Sequence, residues 1–371
     1  TAGDTIATNA RQLTTTVDIL SAFSTGTGTD TDTNGAGIFI TETDNLTVGT
    51  VAAQSGLTTL STHGDILLST VNGAIVINQG VVAQGAGDIL VAANGSDNDL
   101  TVNADIDSNT GHITLTAADS MSINADLTTA GSGTISIDAQ GSDLIMAGDT
   151  NITATDSNVR LQAANSITLG NVTAMDVSVI ANAGSITNGV GSTMNISATN
   201  LRLTAGDAIA TSERHLTTTV ATLSALSTGA IFISETDDIT VDTVSVSVTQ
   251  MNADASTTVI TDAAQSDLTT LANNGHIVLS TANGSIVINE GLDNDTGISA
   301  HGAGNILLDA NGTGNDIIVN ADIQSSTGHV TLTAADAINV NADILTASSG
   351  TISIDAQGSD LIMAGVTNIT A

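Results

Sequence analysis

Gly111-His-Ile-Thr-Leu-Thr-Ala117 and, 22 residues later, Gly133-Thr-Ile-Ser-Ile-Asp-Ala139 decide how this chain folds. In each stretch Ile and Leu alternate with hydroxyl or charged residues. Ile113, Leu115 and Ala117 would face one way, and His112, Thr114 and Thr116 the other. A period of two is the signature of a half-buried strand, and helical spacing fits nowhere as well. The same Gly-led strand opens at Gly64 and Gly87, so the leaders lie 23, 24 and 22 residues apart. Between leaders sits a second strand, such as Asp99-Leu-Thr-Val-Asn or Ser120-Met-Ser-Ile-Asn, with room for a third.

Short strands recurring every 20–24 residues predict an all-β chain wound as a parallel β-helix, or β-solenoid. Roughly 17 turns at about 4.8 Å each would make a single elongated rod on the order of 80 Å long. A sandwich array would instead need aromatic-anchored domains of about 100 residues. Asn72-Gly73, Asn94-Gly95, Asn283-Gly284 and Asn311-Gly312 supply turn dipeptides that accept positive φ.

A longer repeat contains the short one. Thr1-Ala-Gly-Asp returns as Thr204-Ala-Gly-Asp, and Gly133 to Gly148 returns unchanged as Gly350 to Gly365. Residues 1–203 form a first copy and 204–371 a second, truncated one. The offset between them moves from 203 to 193, then 211, then 217, which locates three length changes. Ten residues are lost around Gly28 to Gly35, eighteen are gained between about Val241 and Gln265, and six near Asp293 to Ser299. A gain near twenty reads as almost one extra coil, which a solenoid tolerates because each turn meets only its neighbours. The chain begins in mid-pattern at Thr1, and Asn368-Ile-Thr-Ala matches Asn151-Ile-Thr-Ala, so it reads as a segment of a longer array.

Composition narrows the interior and the partners. The 371 residues include three Phe but no Trp, Tyr, Pro, Cys or Lys, while hydrophobic residues make up 41%. That is too apolar for an acidic disordered tail, and too poor in aromatics for a bulky core. The expected interior is narrow and filled by interlocking small aliphatics. A net charge of −34 argues against nucleic acid and bare anionic membrane. Absent cysteine removes disulfides and Cys-bound clusters. No signal peptide and no run of about 18 apolar residues is found.

Candidate sites are carboxylates and amides at repeating positions. Asn103, Asn124, Asn320 and Asn341 each open an Asn-Ala-Asp motif, spaced 21 residues within each copy. If one beat is one turn, these Asn side chains form a ladder at a corner. Asp105, Asp126, Asp322 and Asp343 then either flank a solvated bend or stack about 5 Å apart with calcium bridging them. Asp30, Asp32 and Asn34 are spaced like the first half of a calcium loop. The pattern departs from an EF-hand at Thr41 and Gly37, so a Thr/Gly/Asp loop is the competing reading. His112 and His329 read as equivalent surface residues. Scattered pairs such as Asp97 and Asp99 would suit a polysaccharide-cleaving β-helix, but no aromatic sugar platforms accompany them. Thr-rich runs suggest an ice-type hydroxyl face, although the ranks are broken by Asn, Ser and Asp. No catalytic constellation and no cofactor other than calcium is expected.

The recurring Gly-x-Ile-x-Leu-x-Ala strands resemble the repeats of filamentous-haemagglutinin-type bacterial exoproteins and related giant surface adhesins. That resemblance implies export to the extracellular or bacterial cell surface, a right-handed β-helical shaft and a role in attachment or matrix building. The expected function is a non-enzymatic structural fibre whose partners are further copies of itself, end to end, with a surface or glycan ligand beyond. The alternatives are a calcium-dependent or ice- or glycan-binding adhesin module, and a glycan-cleaving enzyme.

Overall fold

In the computed structural model, which describes residues 1–26, 36–292 and 295–371, every regular element is a β-strand. The described residues wind as a parallel β-solenoid of about 14 turns. Each regular turn contributes three strands. One five-residue strand such as Ile113–Ala117 is followed by two of about three residues, here Met121–Ile123 and Leu127–Thr129. Each strand pairs in parallel with its counterpart one turn on: Ile113 with Ile135, Met121 with Leu144, Leu127 with Ile152. Like residues therefore stack upon like.

The alternation places side chains as expected. Ile113, Leu115 and Ala117 are fully buried, and Ile135, Ile137 and Ala139 lie directly against them in register. Burying each Ile, Leu or Val contributes about 1.5–3 kcal/mol. Because no bulky aromatic fills the interior, deleting one such side chain leaves a gap its neighbours cannot close. Leu115→Ala is accordingly a change of about 2–5 kcal/mol.

The Gly leaders are explained by crowding. A Cβ on Gly111 would lie 2.2 Å from the Gly87 carbonyl oxygen, and one on Gly133 would lie 2.4 Å from that of Gly111. The backbone of successive turns comes so close here that only hydrogen fits. Buried hydroxyls then reach the same carbonyls: Ser108 donates to Gly87 O at 2.8 Å and Thr129 to Gly111 O at 2.7 Å.

Of the four Asn-Gly turns, Gly95 and Gly312 use the positive φ that such turns accept, and Gly73 and Gly284 do not. The latter two are glycine because a Cβ would sit 2.1 Å from the backbone of Asp44 or Asp237. One expectation needs correction: the eighteen-residue gain is not an extra coil. It lengthens a short hairpin, Thr50–Val51 with Gln54–Ser55, into a long one, Val244–Met251 with Thr257–Gln265. Residues spent on this arm, and steps of 28 to 31 residues between some turns, explain why the coils number fewer than 17.

By its internal contacts the chain divides into two compact units. The first comprises Thr1–Met175, Gly189–Gly191 and the hairpin tip Ser247–Thr261. The second comprises Asp176–Asn188, Ser192–Val246 and Asp262–Ala371. The sequence copies meet instead at 203/204.

Candidate functional site

The polar positions of the coils are used to tie one turn to the next. Over several successive turns, the residue after a Gly leader supplies an acceptor to the backbone N–H of its counterpart one turn later. Asp65 Oδ1 accepts from Asp88 N at 2.8 Å, Asp88 Oδ1 from His112 N at 2.7 Å, and His112 Nδ1 from Thr134 N at 3.1 Å. The second copy builds the same column from other chemistry. His276 Nδ1 accepts from Asn305 N at 3.0 Å, Asn305 Oδ1 from His329 N at 2.9 Å, and His329 Nδ1 from Thr351 N at 3.2 Å. A carboxylate, an amide and an imidazole thus do one job. His329 is at the surface as expected and His112 is half-buried, and both also accept a backbone N–H; Asp65 and His276 were missed by sequence reasoning. The signal was present, because every residue that follows these leaders carries an acceptor.

Burial shapes this column in the first copy. Asp65 is 3% exposed, and desolvation pushes its carboxyl up to about 8. Asp88 is raised for the same reason, and burial lowers His112 against the opposing pull of Asp88.

The Asn residues form two chains of side-chain bonds. Asn124 Nδ2 donates to Asn103 Oδ1 at 2.9 Å, and Asn103 Nδ2 to Asn78 Oδ1 at 2.9 Å. Asn341 bonds Asn320 at 2.9 Å, Asn320 bonds Asn289 at 3.0 Å, and Asn289 Nδ2 reaches Asp242 at 3.1 Å. Asn78 and Asn289 escape a search for Asn-Ala-Asp because other residues follow them. The middle members, Asn103, Asn289 and Asn320, each donate along the axis and accept from the next turn, which satisfies both ends of the amide dipole.

The four motif carboxylates each take the N–H of the following turn. Asp105 Oδ1 accepts from Asp126 N at 3.2 Å, and Asp126 Oδ1 from Asn151 N at 2.8 Å. Asp322 Oδ1 accepts from Asp343 N at 2.8 Å, and Asp343 Oδ1 from Asn368 N at 2.7 Å. Among the described residues no group of three or more His, Asp or Glu converges as a metal site. Asp30, Asp32 and Asn34 lie outside the described residues.

Two buried Glu residues also escaped the sequence reading. Glu42 and Glu235 end the strands Ile38–Glu42 and Ile231–Glu235 on the inward phase, at equivalent places. Glu42 accepts from the Thr15 hydroxyl at 2.6 Å, Val17 N at 3.1 Å and Thr43 N at 2.8 Å. Glu235 accepts from Thr218, Val220 N and Thr236 N at 2.7, 3.2 and 2.8 Å. Burial pushes Glu235 up to about 7, whereas at Glu42 the hydrogen bonds outweigh desolvation and hold it below the usual range.

The hairpin tip covers the outward side of the first unit's long strands. Thr134 Oγ1 donates to Thr249 O at 2.7 Å, and Thr249 N lies 3.0 Å from the same hydroxyl. Gln250 Nε2 donates to Ser136 Oγ at 2.6 Å, Met251 N to Thr114 Oγ1 at 2.9 Å, and Asn158 Nδ2 to Ser247 O at 2.8 Å. Beneath the tip, Phe39, Leu67, Leu90 and Ala92 bury with Met251 and Ala255 in one apolar cluster. Beside them opens a cleft of about 560 Å³ lined by Asp88, His112, Ser132, Asp254, Ser256 and others. Its walls are mainly hydrogen-bonding groups, and Asp254 is held below the usual carboxylate range by the Ser256 hydroxyl and N–H. The His112–Thr134 pair, with Nδ1 2.9 Å from the hydroxyl, resembles a base beside a nucleophile, but Thr134 is covered by the hairpin and engaged with Thr249.

Comparison with family models, with curated proteins and with solved structures gives no match to this chain.

Proposed function

We propose that this chain is a section of a non-enzymatic fibre, a β-solenoid shaft that serves assembly or adhesion outside the cell, at a bacterial surface. The observation that carries the reading is where the polar side chains go. Asn, Asp and His at the corners bond the adjacent turn, and inward aliphatics stack in register beneath them. Such a chain concentrates its interactions along the axis, which suits a load-bearing element whose turns stabilise one another. A terminal turn of parallel strands presents unpaired N–H and C=O groups, which suits end-to-end assembly with further copies of the chain. The repetitive Gly-led strands fit the giant adhesins they resemble, and a surface or glycan ligand would be met by outward Thr, Ser, Asn and Asp.

Negative-stain electron microscopy of the native assembly tests this. Filaments whose width matches one solenoid are expected. Short isolated monomers of the complete protein at high concentration would remove the fibre.

A further inference from the structure

The two copies present the same outward column, but only one column is covered. In the first, Phe39 pairs in register with Leu67, Leu67 with Leu90, Leu90 with Thr114, and Thr114 with Ser136. In the second, Phe232 pairs with Val278, Val278 with Leu307, Leu307 with Thr331, and Thr331 with Ser353. Phe39, Leu67 and Leu90 are 2%, 0% and 4% exposed because Met251 and Ala255 of the hairpin lie on them. Phe232, Val278 and Leu307 remain half-exposed and line an open groove of about 330 Å³ with His276, His329 and Thr331. Three apolar side chains in successive outward positions are anomalous on a face otherwise built of Thr, Ser and Asp.

We infer that the Phe232–Val278–Leu307 groove is the seat of a second hairpin equivalent to Val244–Gln265, supplied by a further copy of the repeat. The hydrogen-bonding groups that hold the present hairpin recur beside the groove: Thr114 becomes Thr331, Thr134 becomes Thr351 and Ser136 becomes Ser353. Continuation of the chain in register would also return Asn158. Ala371 corresponds to Ala154, so a repeat appended from residue 155 keeps the register. Three positions differ. Val278 replaces Leu67, Asp309 replaces Ala92 and is already bonded by Asn311 Nδ2 at 2.9 Å, and His215 replaces Gln12, which donates to Ala253 O of the hairpin at 2.7 Å, and stacks on Phe232 at 5.5 Å. Each repeat would thereby strap the one before it, adding side-chain cover to the hydrogen bonds between coils. The inference rests on the end-to-end reading above only for the supply of another repeat.

The chain contains no cysteine, so single thiols report cleanly. Leu307→Cys, Val278→Cys and the covered control Leu90→Cys are placed in the 371-residue chain, and in a chain extended by residues 155–371 after Ala371. Maleimide labelling of Leu307→Cys and Val278→Cys should run at least tenfold faster than that of Leu90→Cys in the shorter chain. In the extended chain it should fall to the Leu90→Cys rate. Equal, fast labelling of both groove positions in the two chains overturns the strap. Filaments with an unprotected groove would leave the fibre and remove the strap, whereas protection without filaments would do the reverse.

Discussion

Asp65 Oδ1 accepts the backbone N–H of Asp88 across 2.8 Å, one turn further on, from a position that is 3% exposed. A buried carboxyl whose pKa rises from 3.8 to about 8 binds its proton more tightly folded than unfolded. Its contribution is therefore fully present below pH 3.8 and is lost as pH rises toward 8. Each pH unit between those values is worth about 1.4 kcal/mol. The melting temperature should fall between pH 4 and pH 8, and Asp65→Asn, which keeps an acceptor for Asp88 N–H, should flatten that slope. Far-UV circular dichroism is the suitable probe, because the chain has no Trp or Tyr. An unchanged slope in Asp65→Asn would show that Asp65 is ionised in the folded chain.

The two buried Glu residues should behave in opposite ways. Glu42 is held below 4.5, so its stabilisation is present above that value and is lost as pH falls. Glu235 is raised to about 7, so its stabilisation is present below 4.5 and is lost as pH rises through 7. Glu42→Gln replaces an acceptor oxygen by a donor and should cost about 1–3 kcal/mol at pH 7.5. Glu235→Gln also relieves a desolvated charge, so it should cost less. Thermal melts of both variants at pH 4 and 7.5 check the order; a larger loss for Glu235→Gln at pH 7.5 reverses the assignment.

Crowding at the Gly leaders makes a sharp comparison possible. Gly111→Ala places a methyl 2.2 Å from Gly87 O, and the backbone must shift to admit it. A loss of about 1–3 kcal/mol is expected. Gly365, with nothing within 4 Å and no positive φ, is the control. There Gly→Ala should be neutral or stabilising by about 0.4–1 kcal/mol, through the entropy of the unfolded chain. Similar melts for the two variants would mean that the turns are free to move apart at Gly111.

The winding was legible because strand phase and coil length are both written in residue types: Ile113, Leu115 and Ala117 alternate with polar neighbours, and Gly recurs where turns nearly touch. The hairpin was not legible from length, because eighteen residues serve equally for a coil. Val244-Ser-Val-Ser-Val also alternates like any strand of the solenoid. Absence of a Gly leader does not discriminate either: residues 242–267 contain no glycine, but neither do residues 149–169, which include the regular strands Val159–Ala163 and Ile167–Leu169. The acceptor column at Asp65, Asp88 and His112 was hidden for another reason. Its members share a hydrogen-bonding role and not a residue type, so a search for identical letters finds the Asn rows and passes over it. Glu42 and Glu235 were visible as the only two Glu residues on an inward strand phase, yet a charge at such a position reads as a mismatch until its donors are seen.

Calcium is the remaining question for the Asp columns, and the geometry gives a direction. In Asp105, Asp126, Asp322 and Asp343 one carboxylate oxygen is already bonded to the next turn's N–H. Calcium takes six to eight oxygen ligands, and a column whose members each face a backbone donor offers few that converge. Chelation by EDTA should therefore leave the melting temperature unchanged. Added salt should raise it, because screening lowers the self-repulsion of a chain carrying −34 charges. Comparing calcium chloride with sodium chloride at equal ionic strength separates site binding from screening. A rise specific to calcium, lost on chelation and absent in Asp126→Asn, would place bridging cations on these columns after all.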